Sequence, residues 1–256
     1  MPLNLYFSWH TVEAFTPAFR ELFSCADVFV NEHGWNSGRV EYEERLYNKL
    51  AKGEANPEEL MKKIPDDQTD PAFYETLYGI IFRSEKKILL ERSPLTLFEA
   101  LADLAEIELG NVALNEKLRN YERALQRRAA FHRKRDECFA SLLDEYCKPH
   151  PNNNVLVMRG CMHQRALEKF LTDRSVGFKS HVSHTPLPLH FNLEIVSKLE
   201  VGLDINRREL LEALVEHIEL SSEKYDLKTM KMSDLIGVQS KTASLSDTKM
   251  EQLLSS

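Results

Sequence analysis

The sequence predicts an α/β fold, with a central mostly parallel sheet flanked by helices and carrying a long helical insertion. Three observations lead there. Short apolar runs read as buried strands: Leu3-Asn4-Leu5-Tyr6-Phe7, Val28-Phe29-Val30, Ile88-Leu89-Leu90 and Val155-Leu156-Val157-Met158. Segments of helical spacing separate them, as crossovers between parallel strands require. The stretch from Leu95 to Tyr146 is nearly devoid of Gly and Pro and rich in Ala, Leu, Glu and Arg, which reads as two or three long helices with a break near Gly110.

Taken in order, the first strand is followed by Thr11 to Cys25, where Phe15, Phe19, Leu22 and Phe23 recur at helical spacing and Pro17 is tolerated within the first turn. Asp27 to Glu32 is the second strand, and Gly34 to Gly38 is a turn-rich segment placed to fold over a strand end. A charged helix is expected over Val40 to Lys52, and Asp70-Pro71 opens another carrying Phe73, Leu77, Ile80 and Ile81. The third strand spans Lys87 to Glu91. The loop Pro149 to Asn154 leads into the fourth strand, a helix from Met162 to Thr172 and a fifth strand from Val176 to Val182. His184 to His190 is too rich in proline to be regular, and Arg207 to Glu223 is an amphipathic helix carrying Leu210, Leu211, Leu214 and Ile218. Residues 1–94 and 148–224 are thus read as two parts of one core and 95–147 as an insertion or cap. Residues 225–256 read as a loosely ordered tail with one short helix.

Composition narrows the function. With 256 residues, 43% of them hydrophobic, the chain can build a sizeable core. A net charge of −7 gives no basic field for nucleic acid or an anionic membrane. Cys25, Cys138, Cys147 and Cys161 form no CxxC pair, which argues against a disulfide framework or structural zinc and for a reducing compartment. The start lacks the pattern of a signal peptide, and no apolar run approaches the roughly 20 residues that cross a bilayer. A soluble cytoplasmic protein is expected.

The strand ends carry the chemistry. In a parallel sheet all carboxyl ends lie on one edge, where open α/β folds bind ligands. The apolar runs close on His10, Glu32, Glu91 and, through Gly160, His163. A glycine at 160 lets the backbone turn sharply and project His163 from the next helix. Each residue also has an ordinary explanation: a capping or partly buried histidine, a surface ion pair, or for Glu91 a pair involving neighbouring Arg92. His33 is a weaker candidate beside Glu32. His181 and His184 could present two imidazoles to one metal. Arg135 could orient a carboxylate or stabilise an oxyanion, although the run His132-Arg133-Lys134-Arg135 also reads as a solvated helix face. No Walker loop, GxSxG, HExxH or GxGxxG is present.

Gly160-Cys161-Met162-His163 forms a GxxH motif, Arg135-Asp136-Glu137-Cys138-Phe139-Ala140 an RDxxMA-like motif, and Glu32 ends the second strand. In this order they resemble the superfamily that joins the Tiki and TraB proteins, the ChaN haem-binding lipoproteins and the erythromycin esterases. The resemblance spans about residues 3 to 182. The family's first GxxH is altered here to Phe7-Ser8-Trp9-His10, with Phe7 in place of glycine. The resemblance implies an α/β sheet with a helical insertion and a polar site at the strand carboxyl edge. Its members include metal-dependent proteases, metal-independent esterases and haem binders, so the fold leaves the reaction open.

The leading expectation is a hydrolase of an ester or amide in a small molecule or peptide, with His10, Glu32, His163 and Arg135 as the catalytic set. Glu91, Trp9 and Arg159 are expected at the substrate. A divalent metal (Mn, Co, Zn or Fe) would take His10, Glu32, His163 and His181, with haem as a further option. The alternatives are a non-catalytic binding protein for a metal, haem or small ligand, with Phe7 and Trp9 packing in the pocket, and an interaction module docking through the helices of Leu95 to Tyr146.

Overall fold

The computed structural model describes residues 3–32, 39–63, 71–92, 112–183, 191–220 and 232–255. Five strands, β1 (Leu3–Ser8), β2 (Val28–Asn31), β3 (Lys87–Leu90), β4 (Val155–Gly160) and β5 (Phe178–Val182), form one sheet in the order β3-β2-β4-β1-β5. Every pairing is parallel. The apolar runs therefore become central strands, as continuous Val, Ile and Leu sequences do when both faces of a sheet are covered.

The connection after β1 is a short 3-10 turn, Val12–Ala14, followed by α1 (Pro17–Cys25), in place of one helix from Thr11. Pro17 cannot lie inside a helix, so it takes the first turn, and the Thr16 hydroxyl accepts the Phe19 amide at 3.2 Å as cap. Next come α2 (Val40–Ala51), α3 (Pro57–Met61) and α4 (Pro71–Ile81). Their apolar stripes and that of α1 join one sheet face in a core holding Tyr6, Phe19, Phe29, Leu50, Phe73, Leu77, Leu156 and Met158. From α2, the Asn48 amide bonds both backbone groups of Ile88, at 2.8 and 3.0 Å, closing the outer edge of β3 as a neighbouring strand would.

The helical insertion resolves into α5 (Leu114–Cys147), a single helix of 34 residues; the break expected near Gly110 lies outside the described residues. After β4 a 3-10 turn, Cys161–His163, leads into α6 (Gln164–Asp173) and then β5.

The chain divides into two compact units. One comprises Met1–Leu97 and Arg135–Pro186, and contains the sheet; the other comprises Phe98–Lys134 and Leu187–Ser256. In the second unit the first part of α5 joins α7 (Phe191–Glu200), α8 (Arg207–Leu220), α9 (Met232–Ala243) and α10 (Asp247–Ser255). The Tyr121 hydroxyl donates to the Ala213 carbonyl at 3.2 Å, and Lys117 Nζ to the Leu254 carbonyl at 2.9 Å. Where a loosely ordered tail is expected, α9 and α10 bury Leu235, Val238, Met250 and Leu254. Among the described residues no helix is long and apolar enough to cross a membrane.

Candidate active site

The register fixes the site. Ser8 pairs with Gly160, and Asn31 with both Met158 and Leu90, so β1 to β4 finish on a common edge. Glu32 follows the last residue of β2 at the edge, and alternation along β4 sends Arg159 to the face opposite Met158. That face meets α5, where Arg159 lies 4.3 Å from the Phe139 ring. Arg135 and Asp136 stand one turn before Phe139 on the same helix.

Glu32 is the hub. Its Oε1 accepts from Arg135 Nη2 at 2.9 Å and its Oε2 from the Gly160 amide at 2.7 Å. The two imidazoles flank it, His10 Nε2 at 3.4 Å from Oε2 and His163 Nε2 at 3.5 Å from Oε1. Beneath it Arg135 forks onto Glu91 through Nε at 2.7 Å and Nη2 at 2.5 Å. Arg159 reaches Glu91 at 3.0 Å through Nη1 and bonds Asp136 through Nη2. Asp136 in turn holds His163 Nδ1 at 2.9 Å.

These charges balance. Burial raises the cost of an ionised Glu32, but Arg135 and His163 outweigh it and hold the carboxyl well below its usual range. Burial likewise opposes charge on Asp136, and His163 and Arg159 bring it down to about 2. For His163 burial favours the neutral ring, yet Asp136 and Glu32 raise the imidazolium to about 9. At neutral pH Glu32 and Asp136 are thus ionised and His163 protonated, in a set that also holds Glu91, Arg135 and Arg159. The set is closed inside except at its mouth, where the His10 side chain is 36% exposed against 2% for His163. His10 rests on the Phe73 ring, with centroids 5.2 Å apart. Burial pushes the Cys161 thiol up to about 11, so it stays protonated beside the site.

His10, Glu32, His163 and Arg135 are thus gathered in one place. Arg159 and Glu91 are not available to a substrate: both side chains are almost wholly enclosed, and each is engaged by charged partners. Arg135 is similarly enclosed, and it holds Glu32. Trp9 is half-buried. His181 stands apart, paired with Tyr6 two residues before the strand end and 3.2 Å from Asn4 Oδ1. His33 and His184 lie outside the described residues. Gly160 makes no sharp turn; with φ −63 and ψ 142 its backbone is ordinary. Phe7 is wholly buried within β1, beside Arg159 and Val182, so the altered motif begins inside the strand and not in a loop. Asp136, named in the helix motif, had no role assigned from the sequence. Its signal was the buried-strand position of Arg159, which demands an anionic partner.

A divalent metal would have to share Glu32 with the donors already bound to it. Among the described residues no group of three His, Cys, Asp or Glu side chains is placed to hold one. Both Glu32 oxygens are already bound by Arg135 and the Gly160 amide, and both Asp136 oxygens by Arg159 and His163. Comparison with protein-family models, with curated proteins and with solved structures gives no match.

Proposed function

We propose that the chain is a hydrolase of ester or amide bonds acting without a metal, in line with the esterase members of the superfamily its motifs resemble. One observation carries this reading: a single ionised carboxylate, Glu32, stands between two imidazoles in opposite settings, His10 open to solvent and His163 enclosed and protonated. Titratable groups driven apart by their surroundings divide acid and base roles between them. His10 takes a proton from water as the water oxygen bonds to the substrate carbonyl carbon. Glu32 stabilises the imidazolium that results, and the fixed charge of His163, enclosed behind it, helps to keep Glu32 ionised. When the bond to the leaving oxygen or nitrogen breaks, that atom receives the proton from His10. Arg135, Arg159 and Asp136 are positioning residues that keep Glu32 ionised and His163 charged.

The test is turnover of p-nitrophenyl acetate and of acetyl p-nitroanilide by the purified chain and by His10→Ala. Removing a general base is expected to cost about 10²- to 10⁴-fold in kcat with the circular dichroism unchanged. Equal turnover in wild type and His10→Ala would overturn the assignment. Saturable binding of either compound without turnover would point to the binding-protein reading. Restoration of turnover only by Mn, Co, Zn or Fe after chelation would replace the metal-free chemistry with a metal-assisted one.

A further inference from the structure

Ser8 ends β1 with its side chain fully buried, and its hydroxyl has no hydrogen-bond partner among the described residues. A buried hydroxyl left in that state costs free energy, so it is placed to take a partner such as a water. The register shows where that partner sits. Ser8 lies directly opposite Gly160 in the parallel β1–β4 ladder, and laterally paired residues point to the same face about 4.8 Å apart.

Gly160 is unusual for what it lacks. Its φ of −63 suits any residue. A Cβ there would lie 3.4 Å from Glu32 Oε2, 3.7 Å from His163 Cδ2 and 4.0 Å from His10 Nε2, all ordinary contacts. Neither backbone conformation nor packing against the protein demands glycine. What glycine provides is a recess one small atom deep, bounded by Glu32, His163 and His10 and flanked on its own face by Ser8.

The chemistry of the rim selects the occupant. Glu32 Oε2 is a carboxylate oxygen, which repels a carbonyl oxygen and accepts from a donor. The His10 imidazole can take a proton, and the Ser8 hydroxyl can give one. A water molecule, with two protons to donate and lone pairs to accept, satisfies all three, and a water held by this many polar partners is well ordered. We propose that the recess over Gly160 seats the attacking water and that Ser8 is its positioning residue, donating to the water while Glu32 and His10 accept from it. This rests on the hydrolase reading. Holding the water by its protons leaves its second lone pair for the substrate carbonyl carbon, and the proton directed at His10 is the one that leaves as the bond forms.

Two variants test it. Gly160→Ala fills the recess with ordinary contacts, and is expected to fold normally, keep KM for p-nitrophenyl acetate within about twofold and lose kcat by about 10²-fold. Ser8→Ala is expected to lower kcat with KM held, and Ser8→Thr, which restores the hydroxyl, to recover part of it. A hydroxyl with a purely structural role would instead change the melting temperature and leave the kcat to KM split unmoved. A high-resolution crystal structure supplies the readout independent of turnover: an ordered water on Ser8, Glu32 and His10 in the wild type, absent from Gly160→Ala. Wild-type turnover undiminished in both Gly160→Ala and Ser8→Ala would overturn the proposal and leave the hydrolase reading standing. An ordered water in a protein without turnover on either probe would overturn the hydrolase reading and with it the water's role as nucleophile. A p-nitrophenyl acetate acyl group found covalently on Ser8 by mass spectrometry would also overturn it, since Ser8 would then be a nucleophile.

Discussion

Glu216 in the helical unit and Glu91 and Asp136 in the sheet unit are buried carboxylates whose hydrogen-bond partners differ in kind. In the helical unit Glu216 accepts the Phe191 amide at 2.7 Å on one oxygen and the Gln239 side-chain amide at 2.8 Å on the other, tying α7, α8 and α9 together. Both of these donors are neutral. In the sheet unit Glu32, Glu91 and Asp136 are bonded to guanidinium groups, an imidazolium and one backbone amide, and they converge where strands end. A carboxylate held by neutral amides between helices acts as a tie. Carboxylates held by cations at a sheet edge, with one imidazole left at the mouth, keep defined protonation states poised for use. These carboxylates differ in the kind of partner more than in burial itself.

The sharpest way to break this contrast is to withdraw a cation from the sheet unit. Arg159 is wholly enclosed and serves both Glu91 and Asp136. Arg159→Met keeps much of the volume and the contact with Phe139 but strands two buried carboxylates. Urea unfolding is expected to show a loss of about 3–5 kcal/mol, the usual cost of breaking a buried ion pair from one side. A loss below about 1 kcal/mol, the range of an exposed pair, would show that the network is not electrostatically closed.

Asp136→Asn probes the function of the same network. Asp136 is the chief group raising the His163 imidazolium to about 9 against the effect of burial. With the anion removed the imidazolium must lose its proton at lower pH. If activity depends on that charge, the alkaline limb of kcat, near pH 9 in the wild type, is expected to move down by at least about one unit. A limb that stays in place would free His163 from any electrostatic role.

How far this arrangement could be read beforehand follows from the same physics. The strands were legible because both sheet faces are covered, which makes each strand a continuous apolar run, and helices such as α4 and α8 announced themselves through Pro71 and the leucines of residues 210–214. His10, Glu32 and His163 stood out because they interrupt those runs at one edge. Asp136 did not, since a carboxylate within a strongly basic helical run reads as part of a solvated face until Arg159 is seen to need it. Ser8 was invisible because a serine after an apolar run is ordinary in sequence; only the register opposite Gly160 gives it meaning. The terminal helices were missed for a different reason. Leu235, Val238, Met250 and Leu254 are spread thinly among Ser, Lys and Thr, and become a core only when stacked against α5 and α8.

A smaller effect is expected on the other side of the comparison. Glu216→Gln keeps the shape of the helical tie while one of its two acceptors becomes a donor facing a donor. The loss is expected to be about 1–3 kcal/mol by urea unfolding, with turnover of p-nitrophenyl acetate unaltered. A fall in turnover matching that of His10→Ala would mean that the two units are coupled and that the tie is also functional.

The weakest effect sets one histidine from each unit against the other. His163 has its folded pKa raised to about 9, chiefly by Asp136 once the opposing effect of burial is overcome. Its contribution to stability is present below the unfolded value of about 6.5 and is lost as pH rises through about 9, with a limiting slope of about −1.4 kcal/mol per pH unit. His217 is shifted the other way: burial lowers its pKa, with Glu216 opposing. Below about pH 6.5 the unfolded chain binds the proton that the folded His217 refuses, so stability falls as the solution becomes more acid. Between pH 4.5 and 6.5, above the range where Asp136 titrates even when unfolded, His217→Gln is expected to flatten the stability profile and to leave the alkaline side unchanged. His163→Gln should flatten the alkaline side alone. The same slope lost from the same side in both variants would show that the two imidazoles share one environment, and the distinction between a tie and a site would have to be drawn elsewhere.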